Sequence, residues 1–211
     1  VATRFDNQAS DARLELTHEP ILGWRGVIGG QSHRRHFKAS GDEAYIPATI
    51  THNNGLFILE EYQAGAVRYE LGLRHEWQRI DVRKGLQPDK NHSGTSASIG
   101  TVWDFAPQYN IGVSGKPSPV SIFVKKKKGK SAGSTAAEEL YAFGPHAASR
   151  TIEIGNANLN KETSHTVDVT LRKHLGALNY NLSLYQSRIH DYIYGADTGE
   201  RPGADYRVIN Y

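Results

Sequence analysis

Alternation of apolar and polar residues is the dominant pattern of this chain. Along residues 67–74, Val67, Tyr69, Leu71 and Leu73 share one face, while Arg68, Glu70, Gly72 and Arg74 share the other. The same split recurs where Val167, Val169 and Leu171 oppose Thr166, Asp168, Thr170 and Arg172. Leu178, Tyr180, Leu182 and Leu184 oppose Asn179, Asn181, Ser183 and Tyr185, and Tyr109, Ile111 and Val113 oppose Asn110, Gly112 and Ser114. Side chains on a strand point alternately to its two faces, so each segment reads as a β-strand with one apolar side. Short turns at Gln63-Ala64-Gly65, Phe105 to Gln108 and Leu175-Gly176 join neighbouring strands. Longer polar stretches, Lys38 to Asn54, Asp81 to Gly94 and Ile189 to Tyr206, separate the other pairs. Tight turns at one end and long loops at the other are the asymmetry of an outer-membrane barrel. The fold expected is all-β, an antiparallel up-and-down meander of roughly ten strands that is part of a β-barrel or a small closed one. Residues 1–211 then form one barrel segment. Thr135 to Ala142 opens with a capping residue and early carboxylates and stops at Gly144-Pro145, which predicts a short loop helix over 136–142.

Composition suits a membrane wall built from strands and suits a soluble β-sandwich as well. No stretch approaches the eighteen or so consecutive apolar residues of a membrane-spanning helix, whereas a membrane-spanning strand needs only about 9–11 residues with every second one facing lipid. Such chains are polar on average, as this one is. Aromatic residues flank the apolar stretches: Trp24 and Phe37, Tyr62 and Trp77, Trp103 and Tyr109, Tyr141, Tyr185 and Tyr192. Rings in these places suit headgroup level at both membrane surfaces, and they also suit ordinary cross-strand packing. The 211 residues include no cysteine, which excludes disulfides, thiolate metal sites and cysteine nucleophiles. They include no methionine either, so a chain beginning at Val1 is expected to be processed or part of something longer. Its first residues show no charged region followed by an apolar run, the pattern of a signal peptide.

Charge and motif content narrow the chemistry. The formal charge is +3, and the run Lys125 to Lys128 with Lys130 supplies more than that excess. No aromatic platform or nucleic-acid module accompanies the run, so it reads as solvated linker and no nucleic-acid partner is expected. No Gly-x-Ser-x-Gly elbow occurs. Gly26-Val27-Ile28-Gly29-Gly30 lies in strand-like sequence without the helix that phosphate binding requires. No enzyme is expected. Among ten histidines, His33 and His36 stand three apart, which on a strand places them on opposite faces and leaves no shared site without a bulge.

Two stretches carry a family likeness. Glu138-Glu139-Leu140-Tyr141-Ala142, followed by Gly155-Asn156-Ala157-Asn158-Leu159-Asn160-Lys161-Glu162-Thr163-Ser164, resembles a segment of TonB-dependent outer-membrane receptors. There a short "ELYA" helix precedes a "GNPNLxxE(T/S)" loop. Tyr180 to Tyr185, Arg188 to Tyr194, and Arg13 to Asp81 with its Gly41-to-Pro47 and Leu59-to-Tyr62 segments are similar as well. Within the family the likeness leans to zinc-uptake receptors. The resemblance implies a bacterial outer-membrane barrel of about 22 strands closed by a plug, which takes up a metal or metal chelate and is energised from the inner membrane. Neither the plug nor an energy-coupling box is visible in this chain. Residues 116–135 depart from the family: Lys116 to Val124 and the lysine run stand where an Arg-x-Pro-Ser motif belongs, which marks them as an atypical insert or linker.

Carried over residue by residue, the resemblance implies a metal site at His146 after the loop helix, with Glu43 or Asp42 as carboxylate ligand and zinc as the ion. The relatives carry a further histidine two residues after the helix tyrosine, where this chain has Phe143. The partners implied are a metal ion or chelate, outer-membrane lipid, and the rest of the barrel with its plug. The alternative expectation is a soluble β-barrel or sandwich that binds a ligand and has no transport role of its own.

Overall fold

Three of the four tight hairpins close through left-handed backbone, at Leu22-Gly23, Gly65 and Gly176. The computed structural model describes residues 4–41, 44–83, 87–118, 137–146, 149–159, 162–203 and 206–211. At the first hairpin Leu22 and Gly23 have φ of 53° and 84°; at the second, Gly65 has φ of 59°. These turns join β1 (Arg4–Ile21) to β2 (Trp24–Ser40), and β3 (Ala48–Ala64) to β4 (Val67–Arg83). Pro107 and Gln108 join β5 (Lys90–Ala106) to β6 (Tyr109–Ser118), and residues 174–179 join β9 (Thr163–Lys173) to β10 (Tyr180–His190). All four short connections lie at the same end of one antiparallel sheet in the order β1-β2-β3-β4-β5-β6-β9-β10. β1 and β10 are its two edges. The expected meander is therefore observed.

At the opposite end the connections are long and partly ordered. Between β6 and β9 come the helix α1 (Ala137–Tyr141), β7 (Phe143–His146) and β8 (Thr151–Ile154). After β10 come β11 (Ala196–Asp197) and β12 (Arg207–Asn210). These four short strands form a second sheet in the order β11-β12-β8-β7, with β12 parallel to β8. α1 falls within the span 136–142 expected for a short loop helix. Lys116 to Ser118, at the start of the atypical insert, complete β6 and pair with Thr166 to Ser164. The rest of the insert lies outside the described residues.

The wall strands run further than their apolar pattern. Lys38 to Asn54 and Asp81 to Gly94, expected as loops, are mostly the ends of β2, β3, β4 and β5. Ile189 and His190 likewise finish β10, which starts at Tyr180 rather than at Leu178. The physical reason is length. A strand of 17 residues spans about 56 Å at ~3.3 Å per residue, or about 43 Å of height at a tilt near 40°, against an apolar band of ~25 Å. Beyond the band the backbone ladder continues while the apolar alternation stops.

The two faces of the wall differ sharply. Cross-strand partners share a face, so the registers give rows. Leu16, Ile28, Ile58, Leu73 and Ala97 form one row of the outer face. Leu16 is 63% exposed and Leu73 48%, as befits side chains that meet lipid. Nearer the short turns, Trp24, Tyr62, Tyr69, Thr101, Val113 and Val169 form a row led by aromatic rings. The inner face carries paired charges: Arg25 with Glu61, Arg68 with Glu70, and Arg74 with Glu76. Gly29 belongs to this face, where a Cβ would stand 2.3 Å from the Phe57 ring. Phe57 in turn lies under the Arg13 guanidinium, 4.5 Å from it.

Candidate functional site

The buried core of the described residues lies at the loop end, where the loops roof the inner face. Phe37 of β2 packs with Tyr45, Ile46 and Ala142. Ile80 of β4 packs with Ala137, Leu140 and Tyr141, with Val82, Ala157 and Leu159 around them. Alternation places Phe37 and Ile80 on the inner face, so α1 caps the mouth of the wall from inside. The family-like motifs are this packing unit. The Gly155 N–H donates to the Ala142 carbonyl and the Asn156 N–H to the Glu139 carbonyl, so the loop after β8 sits against the helix end. The Asn156 side chain accepts from the Asn158 N–H. The Glu162 carboxylate accepts from the Ile193 N–H, tying the start of β9 to the loop after β10.

Tyr141 is 1% exposed, and its hydroxyl donates to the Pro88 carbonyl at 2.9 Å. Burial, reinforced by the nearby Asp89 charge, pushes its phenol up to about 12. The helix is thereby bonded to the loop between β4 and β5.

His146, the predicted site residue, stands at the end of β7 within a polar aromatic group. Its ring stacks on Tyr45 with centroids 4.9 Å apart and an interplanar angle of 23°. Its Nδ1 is 3.2 Å from Glu153 Oε1 and 3.4 Å from the Tyr45 hydroxyl. Thr151 Oγ1 donates to the same carboxylate oxygen, and the Tyr211 hydroxyl donates to Glu153 Oε2. Donation of Nδ1–H to Glu153 leaves Nε2 as the lone-pair nitrogen, and among the described residues no hydrogen bond engages it. A carboxylate holding one imidazole nitrogen while the other stays open is the arrangement that orients a histidine toward a metal.

The other two predicted ligands, Asp42 and Glu43, lie outside the described residues. Tyr45, two residues after Glu43, is part of this site, and its carbonyl accepts the Phe143 N–H at 2.7 Å. Phe143 itself is 74% exposed. Sequence reasoning missed Tyr45, Glu153 and Tyr211. The signal for Glu153 was present: in the β7–β8 hairpin His146 pairs with Thr151, and Glu153 shares a face with Thr151. Tyr45 and Tyr211 arrive from distant loops that local patterns do not connect. Among the described residues no group of three or more His, Asp or Glu is arranged to hold a metal ion. His33 and His36 face opposite sides of β2 as expected. His33 bonds Asp11 on the inner face, while His36 points outward.

Below the cap, the inner face presents the row Asp11, His33, Asn53, Gln78 and His92. Asn53 Oδ1 and Gln78 Oε1 are buried acceptors without a protein partner. Such atoms are normally satisfied by water or a bound group.

An antiparallel wall with an apolar outer face, a polar inner face and a loop cap at one end is the architecture of a membrane β-barrel. Residues 2–211 match the family model described as TonB dependent receptor-like, beta-barrel, and the chain belongs to that family. Members of this family are outer-membrane proteins. Among solved structures the chain is similar to the hemophore receptor HasR of Serratia marcescens, seen as a double mutant in complex with its hemophore HasA and heme. That match has a TM-score of 0.72 at 14% identity and covers 99% of this chain, a likeness of fold. The chain spans 37% of the length of that receptor.

Proposed function

We propose that this chain forms barrel wall and external loops of an outer-membrane uptake receptor, and that its loop cap receives a metal bound in a chelate. The role is non-catalytic: the strands seal their amides against lipid, the inner face lines the lumen, and the cap offers ligand groups. One observation carries the reading of the ligand. His146 is held by Glu153 and stacked on Tyr45, and among the described residues no hydrogen bond engages its Nε2. A single imidazole is too few for a bare zinc ion, which takes about four ligands, or three and a water. It suits a metal whose remaining positions are filled by its own chelator, as in the heme that HasR binds. The flat Tyr45–His146 stack suits a planar chelate for the same reason. Zinc itself, the ion suggested by the zinc-uptake likeness, would need Asp42 or Glu43 as further ligands.

Titration calorimetry of the purified protein with zinc and with hemin separates these ligands. Saturable binding of hemin that His146→Ala weakens at least tenfold supports the chelate reading. Saturable zinc binding lost in Glu43→Ala moves the assignment to the free ion. No saturable heat with either ligand overturns both.

A further inference from the structure

The outer face changes character in steps toward the loop end. Beyond the apolar row of Leu16 and Leu73 come Leu14, Gly30, Leu56, His75 and Thr95, then Ala12, Ser32, Asn54, Trp77 and Ser93. The next row is Ser10, Arg34, His52, Arg79 and Asn91. It holds two guanidiniums and an imidazole side by side and no carboxylate. Arg79 is neutralised along its own strand by Asp81 and by Asp89 of the adjoining loop. Arg34 is not: among the described residues no ion pair or hydrogen bond reaches Arg34 or His52. His36 and Lys38 continue the outward face of β2 in the next two rows, and Lys38 stands opposite Asp6, which is already bonded to Arg4.

An arginine directly opposite a histidine on adjoining strands sets two nitrogen donors side by side, where one anion can lie between them. The position is informative. Trp77, 44% exposed, marks the headgroup boundary on this side, and Arg34 and His52 sit one row beyond it. At the short-turn end the row beyond Tyr62 and Tyr69, which is Ala64, Val67 and Trp103, contains no cation. The two membrane surfaces are thus met by different chemistry on the same strands.

We infer that Arg34 and His52, outward-facing neighbours on β2 and β3, bind the phosphate of an anionic lipid in the leaflet at the loop end. The inference rests on the barrel-wall reading proposed above, and goes beyond it in naming a headgroup and its two contacts. Arg34 presents a planar fork that fits two phosphate oxygens, and His52 supplies a third donor from the adjoining strand. Trp77 packs beside the first carbons of the acyl chains. Ser10 and Asn91 close the row at its ends with neutral donors.

Native mass spectrometry of the full-length protein in detergent tests this, with phosphatidic acid as probe and diacylglycerol of the same chains as control. The expected result is selective retention of phosphatidic acid, reduced on the order of tenfold in the double variant Arg34→Gln/His52→Gln and largely kept in Arg34→Lys. Arg25→Gln, on the inner face, leaves retention unchanged. Equal retention of the two lipids, or an unaltered double variant, overturns the inference. Full displacement by millimolar inorganic phosphate also overturns it, since the row would then be a free-anion site. Failure of the barrel-wall reading has a separate signature, because such a protein would not enter detergent micelles or bilayers and would bind neither lipid.

Discussion

Gly155 lies against the end of α1 so closely that a Cβ would stand 2.7 Å from the carbonyl carbon of Leu140 and from the amide nitrogen of Tyr141. Both obstacles are backbone, so neither can swing aside. The glycine of the "GNANL" motif is thus fixed by the "ELYA" helix that precedes it, and two stretches that look separate in sequence are one packed unit. Gly155→Ala should shift the loop away from the helix and cost the cap about 1–3 kcal/mol. Hydrogen exchange should then rise over residues 137–159 while β1 to β6 keep their protection. Unchanged exchange in the cap would mean that the two segments are not mutually dependent.

Tyr141 gives the cap a pH dependence of known sign. Its phenol titrates near 12 when folded, above the ordinary 10, because burial disfavours the phenolate. A group that holds its proton more tightly in the folded state stabilises fully below pH 10. That contribution is lost as pH rises from 10 toward 12. Cap stability should therefore fall over that interval, and in Tyr141→Phe this part of the dependence should vanish. The variant also loses the bond to Pro88, worth about 1 kcal/mol. Exchange rates measured from pH 9 to 11.5 check both effects.

The outer and inner faces should respond oppositely to added charge. Leu73 lies in the middle of the apolar outer band, where an arginine costs about 2–4 kcal/mol at mid-membrane depth. Ser114 lies on the inner face between Gly100 and Asp168 in the row that includes Glu70, so an arginine there meets carboxylates. Leu73→Arg should lower the yield of folded, heat-modifiable protein in the outer membrane, and Ser114→Arg should leave it near the wild-type level. Equal yields would mean that the faces are assigned the wrong way round.

The wall was legible in the sequence because period-two alternation is a local signal. The faces of residues 67–74 and 166–172 follow from it without any long-range information. Strand ends were not legible, because polar residues on both faces above the membrane look like loop. The helix α1 was marked by its own cap and stop residues, and His146 was marked by the family likeness. Glu153, Tyr45 and Tyr211 join His146 only through the hairpin of β7 with β8, the loop before β3 and the strand β12. Tyr45 and Tyr211 are tertiary placements that no window of sequence contains, whereas Glu153 lies within one local hairpin of His146.

One outward pair shows how a polar contact is tolerated on the lipid side. His18 Nε2 lies 3.1 and 3.2 Å from the two carboxylate oxygens of Glu60, and His18 Nδ1 lies 2.9 Å from the Glu19 carbonyl. Gly26 stands between them in the same row, and a Cβ there would sit 2.8 Å from the Glu60 carboxyl carbon. Nδ1 faces an acceptor and must carry a proton. Nε2 faces a carboxyl group, so a second proton lies on one side or the other of that bond. Either way the pair has zero net charge, which is what a site bordering the apolar band demands. Replacing His18 leaves a lone carboxyl group there, so His18→Leu should destabilise the protein. The double variant His18→Leu/Glu60→Leu should recover most of that loss, since an apolar pair suits lipid. Urea unfolding in detergent micelles of the two single variants and the double variant gives the coupling directly. Additive losses would mean that the two side chains act independently and that Gly26 serves only the backbone approach of β2 to β3.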